Sequence, residues 1–196
     1  MPRPFAPESR TRLLDAAERL FHERGYSAVS MAEVAEATGI RKASLYHHVP
    51  GGKEELFVEV SARLFDRHHD GLTSALARAE PRLEVQLRAA SRWLVAHAPL
   101  GLLAMLQNDM PALGSEHVAA LEGHFLRSLW APLREVFAGA VARGEVRAVN
   151  PDTYVGAYLS LMDGLTYIGT RGPHALPMEE VADDLIDMML NGLRAR

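Results

Sequence analysis

The chain has 196 residues, of which 48% are hydrophobic and 23% charged, and it is therefore long and apolar enough to bury a full core rather than remain disordered or fibrous. The absence of cysteine excludes a disulfide framework, a thiolate metal site and a cysteine nucleophile. No apolar run reaches the length that spans a bilayer, and the N-terminal residues lack the apolar segment of a signal peptide, so we expect a cytoplasmic protein.

The formal net charge of −4 argues against a broad nucleic-acid-binding surface, but the charges are unevenly placed. Residues 1–57 hold eight basic and eight acidic side chains, whereas residues 58–196 hold thirteen basic and seventeen acidic ones. The only two lysines, Lys42 and Lys53, lie in the stretch 37–53, which also holds Arg41 and has no acid. Any basic surface is therefore small and confined to this part of the chain.

Apolar residues spaced three and four apart predict three helices in the first part of the chain. Gly25 stands where a glycine ends the first helix, and Ser30 with Glu33 has the spacing of a capping box at the start of the second. Gly39 ends the second helix, and Pro50-Gly51-Gly52 stops the third. The three predicted helices cover residues 8–24, 31–38 and 41–48.

The rest of the chain is also predicted to be helical. Asn150-Pro151 is a typical helix start, with an N-cap followed by proline, and a loop is expected over residues 108–114. Alternating strand patterns, hairpin dipeptides and internal repeats are missing from the sequence. We therefore predict an all-α fold of about nine helices. The later helices are expected over residues 53–79, 81–99, 100–106, 115–143, 150–170 and 178–196.

Two short helices around the turn Thr38-Gly39-Ile40, behind a longer first helix, are typical of a helix-turn-helix. The second short helix would enter the major groove. Lys42 and Ser44 would then meet base edges or phosphates, and Tyr46 and His48 would reach the backbone. On spacing alone, a small helical hairpin with a merely solvated polar face remains the alternative.

The segment from Ser30 to Val49, followed by Lys53-Glu54-Glu55-Leu56, resembles the DNA-binding segment of TetR/AcrR-family transcriptional regulators, and the resemblance extends from about Arg10 to Phe57. It implies phosphate contacts by the tyrosine of the recognition helix and by the lysine that opens the fourth helix. One departure is that Pro50-Gly51-Gly52 is one residue longer than the pair that commonly precedes this lysine. The DNA-contacting residues implied are Ser30, Lys42, Ala43, Ser44, Tyr46, His47, His48 and Lys53.

The resemblance also implies a helix-turn-helix DNA-binding domain over residues 1–52 and an effector-binding, dimerising helical domain over 53–196. In the penultimate helix Gly156, Ser160 and Gly164 recur at fours, which allows another helix to approach closely, and Leu185 and Met189 belong to an apolar face of the last helix. We expect these residues to form the interface of a homodimer, whose two-fold symmetry suits a palindromic operator. The alternative is that both helices only cover the core of their own domain.

An effector pocket is expected among the middle helices, where aromatic and flexible apolar residues accompany a few polar ones. Ordinary core packing remains an equally good interpretation of these residues. No cofactor or metal is expected, because the histidines and carboxylates form no convincing ligand set, and motifs for an enzyme are missing. A DNA-binding repressor released by a small-molecule effector is the predicted function, and a helical protein-binding adaptor is the alternative. The candidate pocket residues are Trp93, His97, Met105, Asn108, Asp109, Met110, Phe125 and Leu129.

Overall fold

The computed structural model describes residues 7–97, 101–148, 150–168 and 177–193, and these residues are mostly helical. The all-α prediction is confirmed: the described residues contain no extended strand and include nine helices of seven residues or more. The predicted helix ends at Pro99, near Thr170 and beyond Leu193 lie outside the described residues. The helices are α1 (Pro7–Ala28), α2 (Met31–Thr38), α3 (Lys42–His48), α4 (Gly52–Arg78), α5 (Leu83–Ala96), α6 (Leu102–Ala104), α7 (Ser115–Phe125), α8 (Ala131–Ala142), α9 (Pro151–Ile168) and α10 (Met178–Leu193).

The chain divides into two compact units. The first consists of the residues up to Leu64 together with Ala104–His124, and the second of Phe65–Leu103 together with the residues from Phe125 onward. The first unit thus includes the beginning of α4 and a later segment in addition to the predicted 1–52 domain. The predicted boundary at residue 52 stays a prediction. In the described ranges, no helix is both long enough and apolar enough to cross a membrane.

The core of the first unit joins α1 through α4. Its aromatic centre consists of Phe21, Tyr26 and Phe57, and the ring of Phe57 lies edge-on 5.2 Å from Phe21 and 5.1 Å from Tyr26. Burying a large apolar side chain contributes about 1.5–3 kcal/mol, so this cluster holds α1 against α4. Leu45 and Val49 attach α3 to the same core, since both are fully buried.

The predicted helix ends in the first unit are confirmed. The side chain of Ser30 accepts a hydrogen bond from the backbone of Glu33, whose carboxylate reaches back to the Ser30 N–H, as the capping box requires. Gly39 ends α2 in the left-handed region, with φ of 68°. At Gly25 φ is 75°, and this residue interrupts the helical geometry of α1 one residue after the predicted end.

The prediction of a loop over residues 108–114 is wrong for its first part. Met105–Asp109 form a π-helical turn that continues α6, and Met110–Ala112 form a 3-10 turn. Met105 and Met110 are buried, and the Asp109 carboxylate accepts a hydrogen bond of 2.9 Å from the backbone N–H of Tyr26. These tertiary contacts, made far away in the sequence, keep the segment helical against its local turn signals.

In the second unit, α5 is the helix that packs most extensively against α10. Arg88 of α5 pairs with Asp183 at 2.8 Å and with Asp187 of α10, and it also bonds Glu84 at 3.3 Å within its own helix. Beneath these ion pairs the hydroxyl of the fully buried Tyr158 lies 2.8 Å from the Ser91 hydroxyl oxygen, and burial raises the pKa of Tyr158.

The predicted start of α9 is confirmed. The side-chain oxygen of Asn150 accepts a hydrogen bond of 3.0 Å from the Asp152 N–H, and Pro151 is the first helical residue. The predicted long helix from Ser115 is also confirmed, because α7 and α8 run on without a break from Ser115 to Ala142. They are joined by a π-helical turn over Leu126–Trp130.

Candidate nucleic-acid interface

One side of α3 is buried in the core and the other side is exposed to solvent. Leu45 and Val49 point into the core, which leaves the opposite side of the helix in solvent. There Ala43, Tyr46 and His47 are exposed, and Tyr46 keeps 42% of its surface accessible. A half-exposed tyrosine with its hydroxyl in solvent is suited to a hydrogen bond to a phosphate oxygen.

The other predicted residues of α3 are Lys42, Ser44 and His48, and none of these three side chains is described as exposed. Ser44 and His48 are half-buried, so they lie at the edge of the exposed side rather than at its centre. Lys42 is the first residue of α3, but its side chain lies outside what the structure describes. Its DNA contact therefore stays a prediction.

The two acids that follow the basic stretch both accept hydrogen bonds from the protein. The Glu54 carboxylate accepts hydrogen bonds from the Gly114 N–H at 3.0 Å and from the His117 Nδ1 at 2.9 Å. The Gly114 N–H contributes most to holding the pKa of Glu54 below its ordinary value. Glu55 accepts a hydrogen bond from the Gly51 N–H. No carboxylate of this surface comes from α3 itself, and the Glu55 carboxylate lies at the turn between α3 and α4.

The ammonium of Lys53 is held by the end of α1. Its Nζ lies 4.1 Å from the centre of the Tyr26 ring and donates a long hydrogen bond of 3.5 Å to the Ser27 carbonyl oxygen. Burial lowers the pKa of Lys53, and the negative charges of Asp109 and Glu33 act in the opposite direction. The position of the Lys53 ammonium is therefore fixed by the protein itself.

The additional residue before Lys53 is accommodated by backbone geometry. Gly52 opens α4 with φ of +70°, a conformation that favours glycine, and its N–H bonds the Val49 carbonyl oxygen at 2.9 Å. A side chain at Gly52 would lie 3.6 Å from the Tyr46 ring, which is ordinary contact. The longer turn thus brings Tyr46 of α3 beside the start of α4, where Lys53 follows.

Ser30 is placed at the start of α2, but Glu33 already engages its donor groups. The hydroxyl lies 2.7 Å from a Glu33 carboxylate oxygen, and the backbone N–H donates to the same oxygen at 2.8 Å. These bonds, together with Arg24, lower the pKa of Glu33 to about 2. For Ser30 to donate a hydrogen bond to a phosphate, its hydroxyl or its N–H must first release the Glu33 carboxylate.

Arg10 is a residue that sequence reasoning missed as part of this site. Its guanidinium donates to the His48 carbonyl oxygen at 3.2 Å and to both carboxylate oxygens of Glu59 at 2.7 and 2.8 Å. It therefore joins α1, the end of α3 and α4. Since these partners are 38 and 49 residues away, no local spacing in the sequence signals the contact.

The candidate effector residues divide between the two units. In the first, Met105 and Met110 are buried and Asn108 is exposed, while the Asp109 carboxylate is bonded to Tyr26. The structure gives no basis for placing these four beside the candidates of the second unit, so a single pocket built from all eight stays a prediction.

In the second unit, two of the effector candidates pack on each other. The His97 ring stacks on the Trp93 indole at 3.4 Å between centroids. The indole covers Gly71 of α4 so closely that an added Cβ would lie 1.9 Å from it. Phe125 contacts the rings of Phe65 and Trp130, and Leu129 is fully buried.

A separate surface cleft of about 430 Å³ in the second unit contains none of the effector candidates. It is lined by Arg82, Leu83, Glu84, Gly144, Glu145, Val146 and Leu190.

The candidate dimer residues occupy partly covered positions within a single chain. On α9, Ser160 is exposed, Gly156 lies beside Trp130 of the same chain, and a Cβ at Gly164 would meet nothing within 4 Å. On α10, Leu185 and Met189 are half-buried.

The exposed apolar side of α10 continues beyond these two residues. Ala182, Ile186 and Leu190 form the buried side of the helix, whereas Met188 keeps 61% of its surface accessible.

Comparison with known proteins identifies the segment that carries the site. A family model described as "Bacterial regulatory proteins, tetR family" matches residues 13–60, which contain α2, α3 and the start of α4. The HTH-type transcriptional regulator LmrA of Bacillus subtilis is 44% identical over 193 residues, which cover 93% of this chain and 97% of LmrA. The HTH-type transcriptional repressor KstR2 of Rhodococcus jostii is 29% identical over 193 residues, covering 94% of this chain and 90% of KstR2.

A solved structure shows the same fold. The crystal structure of AibR in complex with isovaleryl coenzyme A and operator DNA matches with a TM-score of 0.75 and 26% identity. The match covers 92% of this chain and 96% of AibR. The likeness therefore extends over both compact units and beyond the segment matched by the family model.

Proposed function

This chain belongs to the tetR family of bacterial regulatory proteins, and we propose that it is a transcriptional repressor that a small-molecule effector releases from its operator. The observation that carries the DNA-binding part is the acid-free exposed side of α3, where Tyr46 keeps 42% of its surface accessible next to Gly52, the residue that opens α4 before the fixed cation Lys53. An exposed phenol on α3 and an ammonium at the start of α4 are each suited to a phosphate contact.

The proposed partner of one chain is a second copy of itself. A helix-turn-helix protein that is symmetric about a two-fold axis reads two half-sites one helical turn apart, so a dimer fits a palindromic operator. The exposed Met188, with Leu185 and Met189 beside it on α10, supports an interface on this helix. The exposed Ser160 and the open space at Gly164 support a contribution from α9.

Repression and effector release are supported by the relatives. KstR2 is a repressor by name, and AibR was solved with both an acyl coenzyme A and operator DNA. For this chain we propose a largely apolar effector that reaches the aromatic group of Trp93, His97 and Phe125 in the second unit. Such an effector acts by binding one conformation of the dimer better than the DNA-bound one.

The comparisons also favour a regulator over the alternatives. The relatives that cover the chain are transcriptional regulators, so we propose that this protein has no catalytic role and acts in the cytoplasm, where it reaches the chromosome. A helical adaptor that binds only proteins would not require an acid-free surface on α3, whereas binding to DNA phosphates does.

Binding to DNA from upstream of the protein's own gene tests the proposal. The triple variant Lys42→Ala/Tyr46→Ala/Lys53→Ala is compared in a fluorescence anisotropy titration with the wild type and with Arg134→Ala/Arg147→Ala, which removes two exposed charges from the second unit. Loss of three contacts worth about 1 kcal/mol each lowers affinity by about 100-fold or more. Unchanged binding by the triple variant, or no binding by the wild type, contradicts the proposal.

A further inference from the structure

Tyr26 contacts both Lys53 and Asp109, which are 56 positions apart in the sequence. Its ring carries the Lys53 ammonium on one face at 4.1 Å, and its backbone N–H donates to the Asp109 carboxylate at 2.9 Å. Gly25 packs against the same carboxylate, since a Cβ there would lie 3.4 Å from the Asp109 oxygen. Lys53 and Asp109 thus contact different parts of the same residue, Tyr26, and both belong to the first compact unit.

The charges of Lys53 and Asp109 act on each other through this arrangement. The negative charge of Asp109 favours the protonated form of Lys53, and the positive charge of Lys53 favours the ionised form of Asp109. Burial nevertheless raises the pKa of Asp109, so this carboxylate is poorly compensated by its surroundings. Such a carboxylate benefits from keeping the cation close.

We propose that the negative charge of Asp109, held at Tyr26 where the Lys53 ammonium also lies, weakens the contact between that ammonium and a DNA phosphate, so that Asp109 sets how tightly the protein binds its operator. This inference rests on the proposed function and adds an affinity-determining residue to it. The Lys53 ammonium has three N–H donors, and it already donates to the Ser27 carbonyl while one side faces the Tyr26 ring. A phosphate that approaches the remaining donor meets the Asp109 charge as a second anion, which weakens the contact.

The substitution Asp109→Asn removes the negative charge of this side chain while it keeps the size of the side chain. Asparagine keeps an oxygen that accepts the Tyr26 N–H hydrogen bond but removes the negative charge. We expect the variant to bind upstream DNA about threefold more tightly at ~0.1 M salt, because one partly screened negative charge near the phosphate contact is removed. Glu116→Gln is the matched control, because it removes one exposed negative charge from α7 in the same compact unit.

A double-mutant cycle with Lys53→Met assigns the effect to Lys53. Methionine keeps an apolar stem on the Tyr26 ring without the charge, and we expect Asp109→Asn to change affinity less than about 1.5-fold in that background. A gain that persists without Lys53, that equals the gain of Glu116→Gln, or that is absent from the single variant overturns the inference. If the wild type binds while Asp109→Asn equals it, only the inference fails and the proposed function stands.

A measurement without DNA keeps the inference testable even if the upstream probe is not bound. In Lys42→Arg protein, Lys53 is the only lysine, so its amine can be followed in a pH titration by ¹³C NMR after reductive methylation. We expect the midpoint for Lys53 to fall when Asp109 is replaced by Asn, and to stay within error when Glu116 is replaced by Gln. An unchanged midpoint in the Asp109→Asn protein shows that the carboxylate does not hold the ammonium, and the inference is then wrong.

Discussion

The guanidinium of Arg10, near the start of α1, donates a hydrogen bond of 3.2 Å to the carbonyl oxygen of His48, the last residue of α3. Glu59 of α4 orients the same guanidinium through two further hydrogen bonds. Because α3 has only seven residues, it makes few hydrogen bonds of its own, and this clamp fixes its C-terminal end. Arg10 is therefore a positioning residue for the proposed recognition helix.

The clamp predicts that Arg10→Ala and Glu59→Gln both weaken operator binding by about fivefold, which corresponds to one lost hydrogen bond of about 1 kcal/mol. The two substitutions change the net charge in opposite directions, so an electrostatic effect on DNA cannot explain a loss in both. Arg12→Ala, which removes an exposed arginine bonded only to Ser9 among its described hydrogen bonds, is the control for lost charge. Tighter binding by Glu59→Gln would show that the clamp does not position α3.

The positive φ of Gly52 predicts that a side chain at this position lowers the stability of the protein through backbone strain alone. With φ of +70° and room for a Cβ, alanine at this position is strained without any steric clash. We expect Gly52→Ala to lower the free energy of unfolding by about 1–2 kcal/mol in urea titrations. Gly192→Ala is the control, since φ at Gly192 is not positive and a Cβ there meets nothing within 4 Å. Equal losses in both variants would contradict the role of Gly52 in accommodating the longer turn.

Local features of this fold are predictable from the sequence, whereas contacts between distant residues are not. The capping box at Ser30, the helix end at Gly39 and the N-cap at Asn150 were predictable because each depends on residues within four positions. The clamp by Arg10 and the bond from Tyr26 to Asp109 were not, since their partners are 38 and 83 residues away. A side chain that acts through such contacts has no periodic signature, so only the folded structure reveals it.

Glu33 predicts a pH dependence of stability. Hydrogen bonds from Ser30 and the pairing with Arg24 lower its pKa to about 2, below the ordinary 4.5. A carboxyl whose pKa is depressed by folding stabilises the protein above its unfolded value, and this contribution is lost as the pH falls from about 4.5 toward about 2. We expect Glu33→Gln, measured by urea unfolding between pH 2 and 7, to flatten the loss of stability in this window.

The control for Glu33 is Glu36→Gln, an exposed acid on the same helix. Glutamine at position 33 still accepts the backbone hydrogen bond of a capping box, so the cap is kept while the titrating charge and its pairing with Arg24 are removed. Parallel pH profiles for the wild type and Glu33→Gln would mean that the carboxyl is not held by Ser30 and Arg24 in solution.

Met188 predicts the location of the dimer interface. Met188 is a long apolar side chain that is 61% exposed on α10, opposite the buried Ala182 and Ile186, and a partner chain that covers it would remove this apolar surface from water. We expect Met188→Arg to raise the dimer dissociation constant by at least about tenfold in sedimentation experiments, because an unpaired charge is costly in a buried interface. Since the side chain makes little contact within one chain, the thermal stability of the monomer should not change. Asn191→Arg adds the same charge to an exposed position one turn away. If both variants remain dimers of wild-type affinity, the partner chain does not cover this side of α10.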